Sequence, residues 1–429
     1  SLVASGLIII SADGMAKEIG KPVEAVIVTH VKNDHQRALA LLKETVEINS
    51  GTMNFAGVRK VGAVFEREFK ALGFSTQWLD GKPFNRAGHL VAQYGTRGPK
   101  ILLIGHLDTV FAEDSPFQNM HMIGSDKASG PGVTDMKGGD VIIIHALRAL
   151  RAAGQLDRMS IRVVLTGDEE NSGEPSALSK QALLEAGDWA DIAIGFEDGD
   201  GDPKTAAISR RGASGWQLEV KGRPAHSSQI FQPDVGDGAI FEAARILDGF
   251  RVALSAQPNL SFNPGVIVGG TDIRLDEQTS RGTAFGKSNV IAQSVRVDGD
   301  LRAISPEQLN LARQTMRRIV EAHLPGAGAS IKFDDGYPPM APTEGNAKLL
   351  SLYSKASEDY GFGPVIAINP RNAGAADISF VADKVDMALD GIGLMGSGGH
   401  TVDETADLDT LDSQTIRAAI TIYRLSERP

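Results

Sequence analysis

The chain of 429 residues contains no cysteine. That excludes disulfides, thiol nucleophiles and cysteine-ligated zinc, so any bound metal must rest on histidine, aspartate and glutamate. No apolar run approaches the roughly 20 residues a spanning helix requires, which argues against a membrane protein. Positive charge is also in short supply. Lys and Arg total 43 against 54 Asp and Glu, a net charge of −11, and no basic cluster interleaves with aromatics. Nucleic-acid binding wants a basic face, so it is argued against as well. What is present is an ordinary globular composition, 42% hydrophobic and 23% charged, long enough for two or three domains.

Residues 2–16 open with the apolar stretch LVASGLIII and continue with small residues. They resemble the apolar core and small-residue end of a secretion signal, giving a periplasmic or secreted protein. Read instead as an ordered strand, the same segment leaves the compartment cytoplasmic.

Helical spacing runs over 32–49 and 58–72, and Gly73 closes the second stretch as a C-terminal glycine should. Apolar strand-like runs at 101–104, 161–165 and 192–196 alternate with helical segments, one of them running from about Asp140 to Leu150. The pattern predicts an α/β fold with a mixed or parallel sheet covered on both faces. Residues 213–335 differ. Strands at 216–220 and 290–301 and helices at 236–254 and 306–322 predict an inserted α+β domain, with 263–288 as a long loop or hairpin. Beyond Gly336-Tyr-Pro-Pro339 the alternation resumes, with a helix at 345–360, an apolar stretch near 385–395 and a final helix at 411–425. The expected division is 1–212 and 336–429 as one catalytic domain, interrupted by 213–335.

The chemistry-bearing residues fall where strands end. His106 and Asp108 follow the run 101–104 and, two apart on a strand, point to one side. Open α/β sheets build sites at that edge, and a carboxylate beside a histidine fixes its tautomer for a metal. Asp135 lies in the loop Gly130-Pro-Gly-Val-Thr-Asp-Met-Lys-Gly-Gly139, the pair Glu169-Glu170 follows 161–165, Glu197 follows 192–196, and His400 sits in a glycine-flanked turn. Two histidines and several carboxylates without thiols suit zinc, cobalt or manganese. In the acid pair, one carboxylate can bind metal while its neighbour stays free as a base.

The ordered motifs G-H-L-D-T-V, G-P-G-V-T-D-M-K-G-G, T-G-D-E-E, G-F-E and G-G-H-T-V-D-E resemble those of the M20 metallopeptidases. That family includes glutamate carboxypeptidases, acetylornithine and succinyl-diaminopimelate deacylases, and aminoacylases, and the resemblance spans roughly residues 35–425. It implies two zinc ions per chain bridged by Asp135, one completed by His106 and Glu197 and the other by Glu170 and His400. Asp108 would orient His106, and Glu169 would be the general base for a metal-activated water. It further implies a lid domain that forms a homodimer, with His226 of Gly222-Arg-Pro-Ala-His-Ser227 reaching the partner's site. Asn289 and Arg302 would bind the substrate carboxylate, and Arg210 would contact substrate or shape the hinge.

The chain departs from the resemblance at three places, one of them the segment 263–288, which is longer than in compact relatives. Glutamate-cleaving relatives carry G-R-P-A where this chain has Gly336-Tyr337-Pro338-Pro339, so Tyr337 stands where a basic substrate contact is expected and glutamate specificity is weakened. Gly374-Ala-Ala-Asp377 replaces G-G-T-D. The implied activity is hydrolysis of an amide beside a free carboxylate in a peptide or N-acyl amino acid. A biosynthetic deacylase and an inactive binding homologue are the alternatives, and the intact ligands and Glu169 argue against the second.

Overall fold

The structure is a computed structural model that describes residues 12–276 and 281–427. The stretch 2–10 therefore lies outside the described residues. Two compact units emerge. The first comprises the chain up to Ile208, Thr343–Ile368 and the chain from Val381 onward; the second comprises Ser209–Pro342 and Asn369–Phe380.

The first unit is built on a six-stranded mixed sheet. Its strands are β1 (Ser75–Asp80), β2 (Gly88–Tyr94), β3 (Lys100–His106), β4 (Ser160–Thr166), β5 (Ile192–Gly195) and β6 (Met387–Leu389), in the order β1-β2-β4-β3-β5-β6. β3 runs parallel to both β4 and β5, and β6 is parallel to β5, whereas β1 and β2 are antiparallel additions. After Lys100 every residue of β3 is buried, the continuous apolar run expected of a parallel strand covered on both faces. The helices Ala12–Val46 (from Ile27 onward), Lys137–Ala152 and Asp409–Ser426 contribute buried apolar residues to the same core. The first helix begins twenty residues before the expected 32–49. Pro22 and the β-branched run Val26-Ile27-Val28-Thr29 hide its period, yet Ile27, Val31, Ala38, Leu41 and Val46 are all buried on it.

A second small sheet in this unit joins distant segments. Gly396–Ser397 pairs with Thr405–Asp407, which pairs with Lys127–Ser129, which pairs with His121–Ile123, all antiparallel. It sets the turn 398–404 beside the loop 130–136.

The second unit is a four-stranded antiparallel sheet in the order Ser261–Gly270, Ser294–Arg302, Ala213–Lys221, Gly328–Tyr337. Along Ala213–Lys221 burial alternates strictly, with Trp216, Leu218 and Val220 facing a core shared with the helices Gly238–Leu254 and Pro306–Glu321. Trp216 meets Phe250 edge-on at 5.7 Å. Ser305 caps the second helix by accepting from the Gln308 amide at 3.1 Å, with Pro306 next to it.

Two expectations change. Within 263–288 the expected hairpin is present, Asp272–Asp276 paired with Arg281–Phe285, but it is preceded by an unexpected edge strand, Ser261–Gly270, paired to Ser294–Arg302. Its glycines, Asn263 and Pro264, together with its exposure, conceal the strand period. The segment 369–380, expected in the catalytic domain, belongs to the second unit. It is tied there by Arg210 Nη1 donating to the Gly374 carbonyl at 2.9 Å, and by the Tyr337 hydroxyl donating to Asp377 at 3.2 Å.

Among the described residues no helix is long and apolar enough to cross a membrane.

Candidate metal centre

The strand ends of β3, β4 and β5 bring three loops to one edge of the large sheet. His106 is the last residue of β3 and is buried, and the Leu107 amide bonds the Thr166 carbonyl at 2.7 Å, so the loops after β3 and β4 leave together. A Cβ at Gly105, beneath His106, would lie 2.0 Å from an Asp140 carboxyl oxygen, so any side chain there would force the buried Asp140 side chain to shift.

Asp108 is fully buried and organises the edge. It accepts from Thr52 Oγ1 at 2.6 Å and from the Glu169 and Glu170 amides at 3.1 Å each, and one of its oxygens lies 3.4 Å from His106 Nδ1. Burial alone would raise its pKa, but the bonds from His106 and Thr52 outweigh that and hold it below the usual carboxylate range. Nδ1 of His106 also contacts the Asp108 carbonyl at 3.0 Å. With Nδ1 so engaged, Nε2 is the nitrogen turned to the other ligands.

Nε2 of His106 lies 3.1 Å from Asp135 Oδ1 and 3.5 Å from Glu197 Oε1. Nε2 of His400 lies 2.9 Å from Asp135 Oδ2 and 3.2 Å from Glu170 Oε2. The two histidines thus address different oxygens of one carboxylate. His106, Asp135 and Glu197 form one compact triad and Asp135, Glu170 and His400 another; Glu169 also groups with His106 and Glu170. His400 adopts a left-handed backbone (φ +64) behind Gly398 (φ +76), the sharp turn that delivers its ring to Asp135.

The donor chemistry fits divalent cations. Tetrahedral ligands about 2.0–2.2 Å from a zinc ion stand roughly 3.3–3.6 Å apart, near the 2.9–3.5 Å separations here. The site is also overloaded with acid. Burial pushes Glu197 up to about 7 and raises Glu170, and burial with the charges of Asp135, Glu197 and Glu404 pushes Asp198 well above its usual range. Both carboxyl oxygens of buried Asp140 lack a partner. The histidines supply the compensating charge. Hydrogen bonds that the His400 ring donates to Asp135 and Glu170 raise its pKa to about 11. For His106, burial lowers the pKa, but the charge of Glu197 and the bonds to Asp108 and Asp135 win and hold it well above its usual value. Bound cations would take over that role.

Two supporting residues carried no role in the sequence reading. Glu404 is fully buried and accepts from the amides of Gly132 (2.9 Å), Thr134 (2.9 Å) and Asp135 (3.1 Å) and from Thr134 Oγ1 (3.1 Å), so it fixes the loop that aims Asp135. Asp390 accepts from the Glu197 amide at 3.3 Å. Glu404 ends the G-G-H-T-V-D-E motif, the one signal that could have marked it.

The remaining expected residues lie in the second unit. His226 and Asn289 are exposed and adjacent: the Ser227 amide donates to the Asn289 carbonyl at 2.9 Å, and His226 Nδ1 meets Ser228 Oγ at 2.9 Å. Arg302 is half-exposed and donates Nε to Asp300 at 3.0 Å. Arg210 is buried, and Tyr337 packs against Phe380 at 5.0 Å. Both brace their own unit.

Fold and site together define a metal-dependent hydrolase, with its candidate acid and histidine ligands at the C-terminal edge of a mixed α/β sheet. Residues 102–423 match the model of peptidase family M20/M25/M40, and the chain belongs to that family. It is 26% identical over 400 residues to carboxypeptidase G2 of Pseudomonas sp. (strain RS-16), covering 91% of this chain and 90% of the relative. It is 25% identical to the succinyl-diaminopimelate desuccinylase of Alkalilimnicola ehrlichii, covering 86% and 96%. The fold is shared with aminopeptidase PepT of Bacillus cereus (TM-score 0.71, 18% identity, 92% and 99% covered). It is also shared with a dinuclear metal-binding M20 peptidase of Bacillus subtilis (TM-score 0.63, 16% identity, 92% and 99% covered).

Proposed function

We propose that the chain is a dinuclear zinc hydrolase that cleaves an amide beside a free carboxylate, releasing an amino acid from a peptide or N-acyl amino acid. The observation that supports two ions rather than one is the split of Asp135, one oxygen toward each histidine. His106, Glu197 and Asp135 would hold one ion, and His400, Glu170 and Asp135 the other. When bound, such a pair polarises the scissile carbonyl and makes water nucleophilic near neutral pH.

The chain's own residues do the rest. Asp108 fixes His106 and, through two backbone amides, the position of the acid pair. Glu169 takes a proton from the attacking water and hands it to the leaving nitrogen. Asn289 and Arg302 hold the carboxylate next to the cleaved bond, Arg302 through a planar fork that suits it. His226, on the lid, donates to the developing oxyanion of a partner subunit in a lid-mediated homodimer.

A panel of N-acyl amino acids and dipeptides, assayed beside their C-terminal amides after zinc loading, tests the reading. Acids are expected to turn over and amides to be poor, with two ions per chain by elemental analysis. Equal turnover of acids and amides overturns the carboxylate clamp, and one ion or fewer overturns the dinuclear site. The desuccinylase relatives favour a second reading, a deacylase of N-succinyl diamino acids, which the same panel separates.

A further inference from the structure

A cleft of about 420 Å³ lies wholly within the first unit, between the turn 51–54 and the segment 109–113, with Glu170 and Asn171 closing its wall. A volume of that order suits a small organic group. Glu170 is one of the proposed metal ligands, so the cleft adjoins the metal centre. Its two sides are tied together. The Thr52 amide donates to the Thr109 carbonyl at 3.1 Å, the Thr109 amide donates to the Ser50 carbonyl at 2.9 Å, and a Cβ on Gly51 would lie 2.3 Å from the Phe111 carbonyl oxygen. The cleft is therefore formed before any substrate arrives.

The polar side chains of its wall are engaged within the protein. Thr52 Oγ1 donates to Asp108 at 2.6 Å, Asn54 accepts from the Gly57 amide at 3.0 Å and donates to Asn49 at 3.0 Å, and Asn171 Oδ1 accepts from Arg86 at 2.8 Å. Arg86 also donates to the carbonyls of Asn85, Asn171 and Ser172. Met53 and Val110 are instead 57% and 41% exposed, two apolar side chains lining one cleft. Among the described residues no lysine or arginine lines it, and Glu113 adds a negative charge. A carboxylate entering there would lose hydration and meet no cation of the wall. The half of the substrate that carries the free carboxylate therefore belongs elsewhere.

We propose that this cleft receives the acyl half of the substrate, that Met53 and Val110 select an uncharged apolar acyl group, and that Glu113 turns acidic acyl groups away. The proposal rests on the amidohydrolase reading above and specifies the acyl side of its substrate. It runs against the N-succinyl reading, whose acyl group would bring a second carboxylate beside Glu113.

The test sets three acyl groups of nearly equal shape, 4-methylpentanoyl, succinamoyl and succinyl, on leucine and on glutamate and assays them with the zinc-loaded protein. The 4-methylpentanoyl compound is expected to exceed the succinyl one by about tenfold or more in kcat/KM, the order expected when a buried apolar group replaces a charge, with succinamoyl between them. Met53→Ala should cut the 4-methylpentanoyl value several-fold, mainly through KM, and cost the N-acetyl compound far less, since acetyl is too short to fill the cleft. Glu113→Gln should raise the succinyl value several-fold, and that gain should shrink with added salt. Succinyl cleaved as well as 4-methylpentanoyl overturns the proposal, as does a Met53→Ala loss equally large for the acetyl compound. If none of the compounds is hydrolysed, the amidohydrolase reading fails instead, and methyl NMR judges the cleft alone. A shift of the Met53 methyl signal with 4-methylpentanamide that succinamate does not produce upholds its apolar selection. No shift with 4-methylpentanamide, or an equal shift with both, overturns it.

Discussion

In the first unit most of the proposed metal ligands are set by buried neighbours, although the His400 side chain itself is 57% exposed. Asp108 takes three hydrogen bonds, and Glu404 takes four to shape the loop before a single ligand. In the second unit His226 and Asn289 stand exposed with few bonds, and Arg302 is held through one neighbouring aspartate. The difference matches the two tasks. Ligands that must keep two cations at fixed separation need preorganisation against strong mutual repulsion, whereas side chains that grip a passing carboxylate keep solvent access and unspent donors. Damage to these ligands should therefore strike the chemistry and damage to the second unit should strike recognition.

The sharpest break in that contrast is Glu169→Gln. It keeps shape and loses basicity, so kcat should fall by roughly 10²–10⁴-fold with metal content unchanged; Glu170→Gln should instead lose metal. Wild-type kcat in Glu169→Gln would move the base elsewhere. Next, Glu404→Ala strips the acceptor from three buried amides and a hydroxyl. At about 1–3 kcal/mol per orphaned donor, we expect at least about 3 kcal/mol of lost stability by denaturant titration, together with weakened metal binding. An unchanged midpoint would show that the loop holds itself. On the recognition side, Arg302→Ala should cost about one to two decades in kcat/KM for acids and far less for amides. Equal losses for both would remove Arg302 from carboxylate binding. Mixing inactive His226→Ala with inactive Glu169→Gln protein should restore part of the activity by subunit exchange, and a fully active monomer would contradict action in trans.

The smallest effect is on stability alone. His145, buried in the helix Lys137–Ala152, lies 3.4 Å from Asp34 and 3.6 Å from Asp412. Burial lowers its pKa, but the two aspartates outweigh that and hold it above the usual value. Burial raises both aspartates, and His145, with Arg148 beside Asp34 and His35 beside Asp412, draws them below theirs. The His145 contribution is therefore complete below about pH 6.5 and fades as pH rises through its elevated value. The aspartate contribution is complete above about pH 3.9 and fades as pH falls through their depressed values. Stability lost on His145→Gln should be greatest at mildly acidic pH and shrink in alkali. A loss independent of pH would assign His145 to packing alone.

Much of the first unit was legible because its signals are local. An apolar run ending in His106-Leu-Asp108 and an acid pair after β4 are read within ten residues of chain. What escaped was long-range. The Glu404 bonds to residues 132–135 cross some 270 positions and leave no periodicity, and the start of the first helix is masked by Pro22 and its β-branched run. The second unit was legible in its alternating central strand Ala213–Lys221. It failed at the edge strand Ser261–Gly270, where exposure removes the apolar period, and at 369–380, whose membership is decided by contacts from Arg210, Tyr337 and Arg371.

The turn that carries His400 lies some 290 positions after His106, yet its ring meets the same Asp135 carboxylate, and Glu404 in the same turn sets the loop of Asp135. On the proposed assignment the second cation cradle exists only once this turn has docked, so cutting the chain between Glu197 and His400 would remove one histidine and the Glu404 anchor together.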